Sequence, residues 1–371
     1  MTLVSRFVHA AIADMERDLD RVADLLAEGE GHEQRVRVLA YAGYRTAARL
    51  HVKGRVVRFA PSLAKAKTPF QRLRAMMAIY NSDELPGVGV RLHGYGQALE
   101  TETDEEGYFH FDAALDHPLP DATAWEQVTL STPGREAQQA AIAVPVLAPG
   151  ANLRWGIISD IDDTVVETGA TNFLKNWRRV LIEQPDERLA VPGAATLYKT
   201  IAVDHRAPAR PFFYVSSSPW NLYGFITEFM ELHGIPHGPM FLKDYGIDSN
   251  RLIDAGHDAH KLAAIETILA AYPALRFLLI GDNGQRDVTI YAKVVEDFGN
   301  RVAGVFIRDV DGSCRSGPEG ALLAGIEARG VPTYCGAGFD DAVALVERLD
   351  LDRPLEAAKA VLAPAEAPAS A

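Results

Sequence analysis

Three short runs in this sequence hold residues whose types and spacing can act on a phosphate. In 'WGIISDIDDTVVETGAT' an apolar stretch runs directly into Asp160, Asp162, Asp163 and Thr164. Two carboxylates spaced D-x-D on a strand-end turn can converge on one substrate phosphate. One can attack phosphorus and become an acyl phosphate, which splits a hard hydrolysis into two steps. The other can protonate the leaving oxygen and then take a proton from water. Close carboxylates resist ionising together, so one pKa rises and suits that group to acid work, and the pair titrates as a unit. The competing reading is a solvated acidic turn. A calcium-binding EF-hand loop is excluded, because the glycine and glutamate it requires fall, counted from Asp160, on Val165 and Thr171.

The second run is 'FFYVSSSPWNLY', in which Ser216 directly follows an apolar strand and Ser217 comes next. A hydroxyl and nearby backbone N–H groups there can hold a phosphate oxygen; an N-cap or serine turn is the plainer reading. No G-x-S-x-G elbow surrounds these serines, which argues against a serine hydrolase. The third run is 'FLLIGDNGQRDVTIY'. Asp282 and Asp287 follow a strand here and can bind Mg²⁺, which takes few carboxylates together with phosphate oxygens and water. Between them, 'HDAHKLAAIETIL' puts Lys261 near a helix N-terminus, where the dipole disfavours a cation unless an anion partners it. Lys243 in 'FLKDYG' competes for that role. His257 and His260 lack the further ligands that a metal site of their own needs.

These runs need strand ends to carry them. Apolar strand cores are expected at Gly156–Ile158, Phe212–Val215, Met240–Leu242, Phe277–Ile280, Ala303–Ile307 and Val331–Tyr334. Helical patterns at Leu222–Phe229, Leu262–Leu269 and Ala342–Val346 separate several of them. Strands alternating with helices predict an α/β domain with a parallel sheet, whose ligands bind at the carboxyl ends of the strands. The N-terminal half differs. Alternation at Val36–Ala40, Leu50–Val56, Val88–Leu92, Val128–Leu130 and Ile142–Val146, and a hairpin over Leu99–Phe111, predict a β-sandwich-like domain interrupted by one helical stretch at Phe70–Ile79. The run 'TETDEEGYFHFD' resembles the hairpin of transthyretin-like accessory domains. The expected organisation is an amphipathic helix in residues 1–32, the β-rich domain in 33–150, the α/β domain in 151–352, and an Ala/Pro-rich disordered tail in 353–371.

Composition narrows the function. Thirty-seven basic against fifty acidic residues give a net charge of -13, without the basic footprint of a nucleic-acid binder. Hydrophobic residues make up 48% of the 371, enough for two cores, and no apolar run reaches the ~20 residues of a membrane span. Cys314 and Cys335 form no disulfide framework, so the cytoplasm is the expected compartment.

The order D-x-D-x-T, Ser, Lys, G-D-x-x-x-x-D resembles the haloacid dehalogenase superfamily. That resemblance implies Asp160 as nucleophile, Asp162 as general acid and base, and Thr164 supporting the turn. It implies Ser216, Ser217 and Lys261 on the phosphate, and Mg²⁺ held by Asp160, Asp162 (through its carbonyl), Asp282 and Asp287. The runs 'SDIDDTV', 'VSSSPWNLY', 'HK' and 'LIGDNGQRD' followed by 'IY' further resemble the catalytic domain of the actin-patch phosphatidate phosphatases, relatives of lipins, over about Trp155 to Leu349. The implied function is Mg²⁺-dependent hydrolysis of phosphatidate through an aspartyl-phosphate. The alternatives are a soluble phosphomonoester substrate, transfer of the phosphate to another alcohol, or a phosphatidate-binding module without turnover. No protein partner is indicated. About fifty residues separate Thr164 from Ser216, too few for a sheet helix and a large cap together, so an open site with peripheral contact to a bilayer is expected. Trp220 and Tyr223 either meet that surface or pack in the core, and core packing is the favoured reading.

Overall fold

The computed structural model describes residues 36–58, 84–135, 139–165, 191–202, 210–243, 257–349 and 351. The helices expected near the N-terminus and at 70–79, and the Ala/Pro-rich tail, lie outside the described residues.

The chemistry-bearing half is a six-stranded parallel sheet. Its strands are β9 (Trp155–Ser159), β10 (Phe212–Pro219), β11 (Met240–Lys243), β12 (Arg276–Asp282), β13 (Val302–Arg308) and β14 (Thr333–Gly336), in the order β11-β10-β9-β12-β13-β14. All five ladders are parallel. Every residue of β9 and β13 is buried, as expected of strands covered on both faces. The sheet's two core clusters fall on its two faces: Ile157, Leu278 and Ile280 belong to one, and Ile158, Leu279 and Val305 to the other. Helices α1 (Ala194–Ala202), α2 (Tyr223–His233), α3 (His257–Ala271), α4 (Asp287–Phe298), α5 (Gly317–Ala328) and α6 (Ala342–Leu349) accompany the strands. The apolar stripe of α2 ends where expected, at Gly234, whose φ of 64° is the left-handed cap that releases the chain. The chain moves outward one way from β9 through β10 to β11, then returns to the other side of β9 with β12. The order reverses between β9 and β12, and that reversal is where an open parallel sheet opens a crevice.

The N-terminal half is one mixed sheet of eight strands: β1 (Arg37–Ala40), β2 (Gly43–Arg45), β3 (Arg49–Val57), β4 (Gly89–Gly94), β5 (Gln97–Glu102), β6 (Tyr108–Ala114), β7 (Ala124–Ser131) and β8 (Ile142–Ala148). Its ladders run continuously, with β2 joining β8 in parallel and the other pairs antiparallel. The two separate sheets of a sandwich are therefore not what the ladders describe. Alternation reports that one face of each strand is buried, as Leu50, Val52, Val90, Leu92, Val128 and Val144 are. It does not report which strand lies beside which. The expected hairpin over Leu99–Phe111 differs too. Its turn forms, with Gly107 N–H donating to the Asp104 carbonyl at 3.0 Å, but β5 pairs with β4 and β6 with β3. The true hairpin is β4–β5, closed by Tyr95 and Gly96 at φ 50° and 72°, the paired positive values that suit a two-residue turn to strand twist.

The two sheets are joined by aromatic contacts. Tyr41 stacks on Trp220 at 4.4 Å and leans on Tyr223 at 4.6 Å, and the Ala42 N–H donates to the Tyr223 hydroxyl at 2.8 Å. Tyr272 donates its hydroxyl to the Arg45 carbonyl at 3.0 Å. Trp220 is buried, so this ring is a core aromatic. The fold also brings Cys314 and Cys335 together as a disulfide, with Cα atoms 6.6 Å apart.

Candidate active site

Asp160 is the first residue beyond β9, and its N–H donates to the Ile280 carbonyl of β12 at 2.8 Å. This bond ties it to the strand whose end carries Asp282. Ser159 fixes the turn from behind, donating to the Asp160 carbonyl at 2.6 Å while its Oγ lies 2.7 Å from the hydroxyl of Tyr198 on α1. Asp163 adopts a left-handed φ of 57°, and Arg308 donates to its carbonyl at 2.7 Å. Together these hold the D-x-D-x-T turn in an irregular, buried shape that does not continue the strand.

Asp160, Asp282 and Asp287 converge: each offers a carboxylate oxygen, and these oxygens lie within 4.8 Å of one another. All three are buried, at 1%, 0% and 0% exposure. Asp282 ends β12, and Asp287 opens α4 and accepts from the Asp282 N–H at 3.3 Å. Gly281 is required here, because a Cβ would lie 2.5 Å from Asp287 Oδ2. Lys261 Nζ lies 2.6 Å from both Asp160 Oδ1 and Asp287 Oδ1. Lys243, the competing cation, is outside this group.

The electrostatics of the group suit a cation. With all three carboxylates ionised and Lys261 protonated the group would carry -2, the complement of a divalent ion. Asp160 Oδ2 and Asp282 Oδ2 are buried without a hydrogen-bond partner among the described residues. An orphaned buried oxygen is costly unless a ligand satisfies it. Burial and the neighbouring Asp287 carboxylate push Asp282 up to about 8, and burial raises Asp160 well above the usual carboxylate range despite Lys261. Burial opposes the charge on Lys261, but Asp160 and Asp287 outweigh it and raise its pKa. Carboxylates forced together this way fit a hard, oxygen-loving ion such as Mg²⁺.

Asp162 faces elsewhere. It accepts from the Ser216 hydroxyl at 2.7 Å (Oδ2) and from the Ser218 hydroxyl at 3.0 and 3.2 Å, and the Ser218 N–H donates to Ser216 Oγ at 2.8 Å. Burial raises its pKa, with the two serine hydrogen bonds pulling the other way. Of the residues singled out in the sequence, the structure therefore brings Asp160, Lys261, Asp282 and Asp287 into one cluster, and Asp162 and Ser216 into a second beside it. Thr164 is fully buried in the turn, and Ser217 is half-buried on a strand that alternates faces. Ser218 was not singled out, although period two on an extended β10 puts Ser216 and Ser218 on one face. Asn283 was also missed. It donates to Asp309 and Asp311 at 2.9 and 2.8 Å and accepts from the Val310 N–H at 2.7 Å, which pins the loop after β13 beside Asp282.

Residues 155–309, the span that holds Asp160, Asp162, Ser216, Ser218, Lys261, Asp282 and Asp287, match the family described as phosphatidate phosphatase APP1, catalytic domain. The segment matches the APP1 type. The APP1-type segment is 31% identical over 153 residues to phosphatidate phosphatase APP1 of Saccharomyces cerevisiae, an alignment covering 41% of this chain and 25% of that protein. It is 30% identical over 156 residues to the uncharacterized protein C29B5.04c of Schizosaccharomyces pombe, covering 42% of this chain and 25% of that one. The chain thus spans about a quarter of the length of these relatives of its APP1-type segment. A carbohydrate acetylesterase structure from Xanthomonas citri covers 83% of this chain and 71% of its own at 9% identity, but its TM-score of 0.32 is too low to bear on the fold.

Proposed function

We propose that this chain is a Mg²⁺-dependent phosphatidate phosphatase of the haloacid dehalogenase type, with residues 151–352 as its catalytic domain and 33–150 as an accessory domain. The observation that carries the proposal is the convergence of Asp160, Asp282, Asp287 and Lys261 at the sheet's reversal point, beside a serine-held Asp162, inside the segment that matches APP1 catalytic domains. The lipid substrate class rests on that match. No helix among the described residues is long and apolar enough to cross a membrane, and the reading has the enzyme meet its lipid substrate peripherally, at a bilayer surface.

In this reading Asp160 Oδ2 attacks phosphorus in line and the ester P–O bond breaks. Asp162, whose pKa is raised by burial above the ordinary aspartate range, donates a proton to the departing diacylglycerol oxygen. The resulting Asp162 carboxylate then takes a proton from water as that water attacks the acyl phosphate, which releases inorganic phosphate and restores Asp160. Asp160, Asp282 and Asp287, with the Asp162 carbonyl, would hold Mg²⁺, which would supply positive charge against the phosphate oxygens. Lys261 sits within reach of the same oxygens through its position between Asp160 and Asp287. The Ser216 hydroxyl is given to Asp162 at 2.7 Å, so in this reading Ser216 and Ser217 serve the phosphate through their backbone N–H groups.

The test is phosphate release from phosphatidate with Mg²⁺ and its loss on chelation. Release from soluble phosphomonoesters in its place would assign the same mechanism to a different substrate class. Phosphatidate binding without release would point to a recognition module.

A further inference from the structure

A cavity of about 340 Å³ lies where the two sheets meet. Its walls include Tyr41 and Arg37 of the β1 region, Ala143 on the outward face of β8, Arg55 of β3, and Trp220 and Tyr223 at the start of α2. The volume falls in the range of small-molecule sites.

The walls are mostly apolar, with Arg37, Arg55 and Asn221 the polar exceptions, and their aromatic rings are pinned. Trp220 is fixed by its 4.4 Å stack on Tyr41, and Tyr223 by the hydrogen bond from the Ala42 N–H. The Arg55 guanidinium is already committed, to Glu84 at 2.6 Å, to the Glu106 carbonyl at 2.9 Å and to Asn221 at 3.0 Å. With Arg55 so committed, what the cavity mainly offers is apolar contact surface suited to a hydrocarbon. It is also close to the chemistry. Trp220 follows Ser218, which touches Asp162, by only two residues, or about 7 Å of chain at most.

We propose that this cavity takes one acyl chain of the phosphatidate-class substrate and sets the enzyme's preference for chain length. The inference rests on the function proposed above. A phosphatidate carries its acyl chains a few bonds from its phosphate, so a site that holds the phosphate must present apolar surface nearby. The wall shared between both sheets also gives the N-terminal domain a part in selecting substrate, through β1, β3 and β8.

The test uses the full chain and a series of phosphatidates from dibutyryl to dioctanoyl, each kept below its aggregation concentration so that no lipid surface forms. For the wild type, kcat/KM is expected to rise about two- to fourfold per methylene buried. In Ala143→Trp, which fills the cavity from an exposed strand position, that rise is expected to flatten through KM, while the dibutyryl rate stays as in the wild type. Ala143→Leu should give an intermediate slope, and serves alone if the tryptophan variant does not fold. A wild type indifferent to chain length, or an unchanged slope in both variants, would overturn the proposal and leave the cavity a seam between domains. Release from no member of the series would instead overturn the proposed function.

Discussion

The Ser218 hydroxyl lies 3.0 Å from Asp162 Oδ2, and the Ser218 amide holds the Oγ of Ser216, which itself donates to the same carboxylate oxygen at 2.7 Å. Two consecutive same-face positions of β10 therefore grip one aspartate. The grip fixes the orientation of the Asp162 carboxyl, and under the proposed function the orientation of a catalytic acid matters to rate more than to binding.

Ser218→Ala is accordingly expected to lower kcat on phosphatidate by up to about tenfold, the worth of one ordinary hydrogen bond, with KM little changed. Ser218→Thr, which keeps the hydroxyl, should retain most activity. A loss confined to KM would place Ser218 on the substrate rather than on Asp162.

Lys261 brings a cation into the carboxylate cluster, at 2.6 Å from two of its members. Lys261→Met removes that charge and leaves buried carboxylates facing one another. The expected loss of stability without divalent cation is about 3 kcal/mol, in the range for breaking a buried ion pair. Mg²⁺ should then stabilise the variant more than the wild type, since binding to the folded state alone raises stability with ligand concentration. Thermal melts with Mg²⁺ and with chelator check both points. Equal Mg²⁺ shifts in the two proteins would mean that Lys261 and the ion do not share a site.

The parallel sheet was legible because each strand is an apolar run too short for a helix, and because Asp160, Ser216 and Asp282 follow such runs directly. The carboxylate cluster was legible for the same reason: strand ends of a parallel sheet come together whatever the loops do. What escaped notice depends on partners far away in sequence. Nothing near Tyr41 announces that it will stack on Trp220, and nothing in the alternation of β2, three residues long, predicts its parallel pairing with β8. Ser218 escaped because the serine run was read as a turn, whereas β10 stays extended through Pro219.

The N-terminal sheet carries a buried charge of its own. Arg45, 1% exposed, donates to Glu126 through Nε at 2.6 Å and Nη2 at 2.7 Å, and Tyr95 donates to Glu126 at 2.6 Å. Burial works against the Glu126 charge, but the Arg45 and Tyr95 hydrogen bonds prevail and hold its pKa below the ordinary glutamate value. A depressed folded pKa contributes stability that is present above the unfolded pKa and is lost as pH falls through the folded one. Glu126→Gln is therefore expected to cost on the order of 2 kcal/mol at neutral pH and to shrink the acid-side loss of stability below about pH 4.5. Urea melts from neutral pH down to pH 3 would show it; parallel curves for the two proteins would contradict the assignment.

Asp160 is the residue on which the whole functional account turns, placed at the strand end with Oδ2 buried and unpartnered among the described residues. The most direct measurement is phosphate release from phosphatidate in mixed micelles by wild type and Asp160→Asn, each with Mg²⁺ and with chelator. The account predicts release only from the wild type with Mg²⁺, and a drop of about a thousandfold or more in the variant, as expected when a nucleophile is removed. Release by Asp160→Asn at a rate near that of the wild type would contradict it.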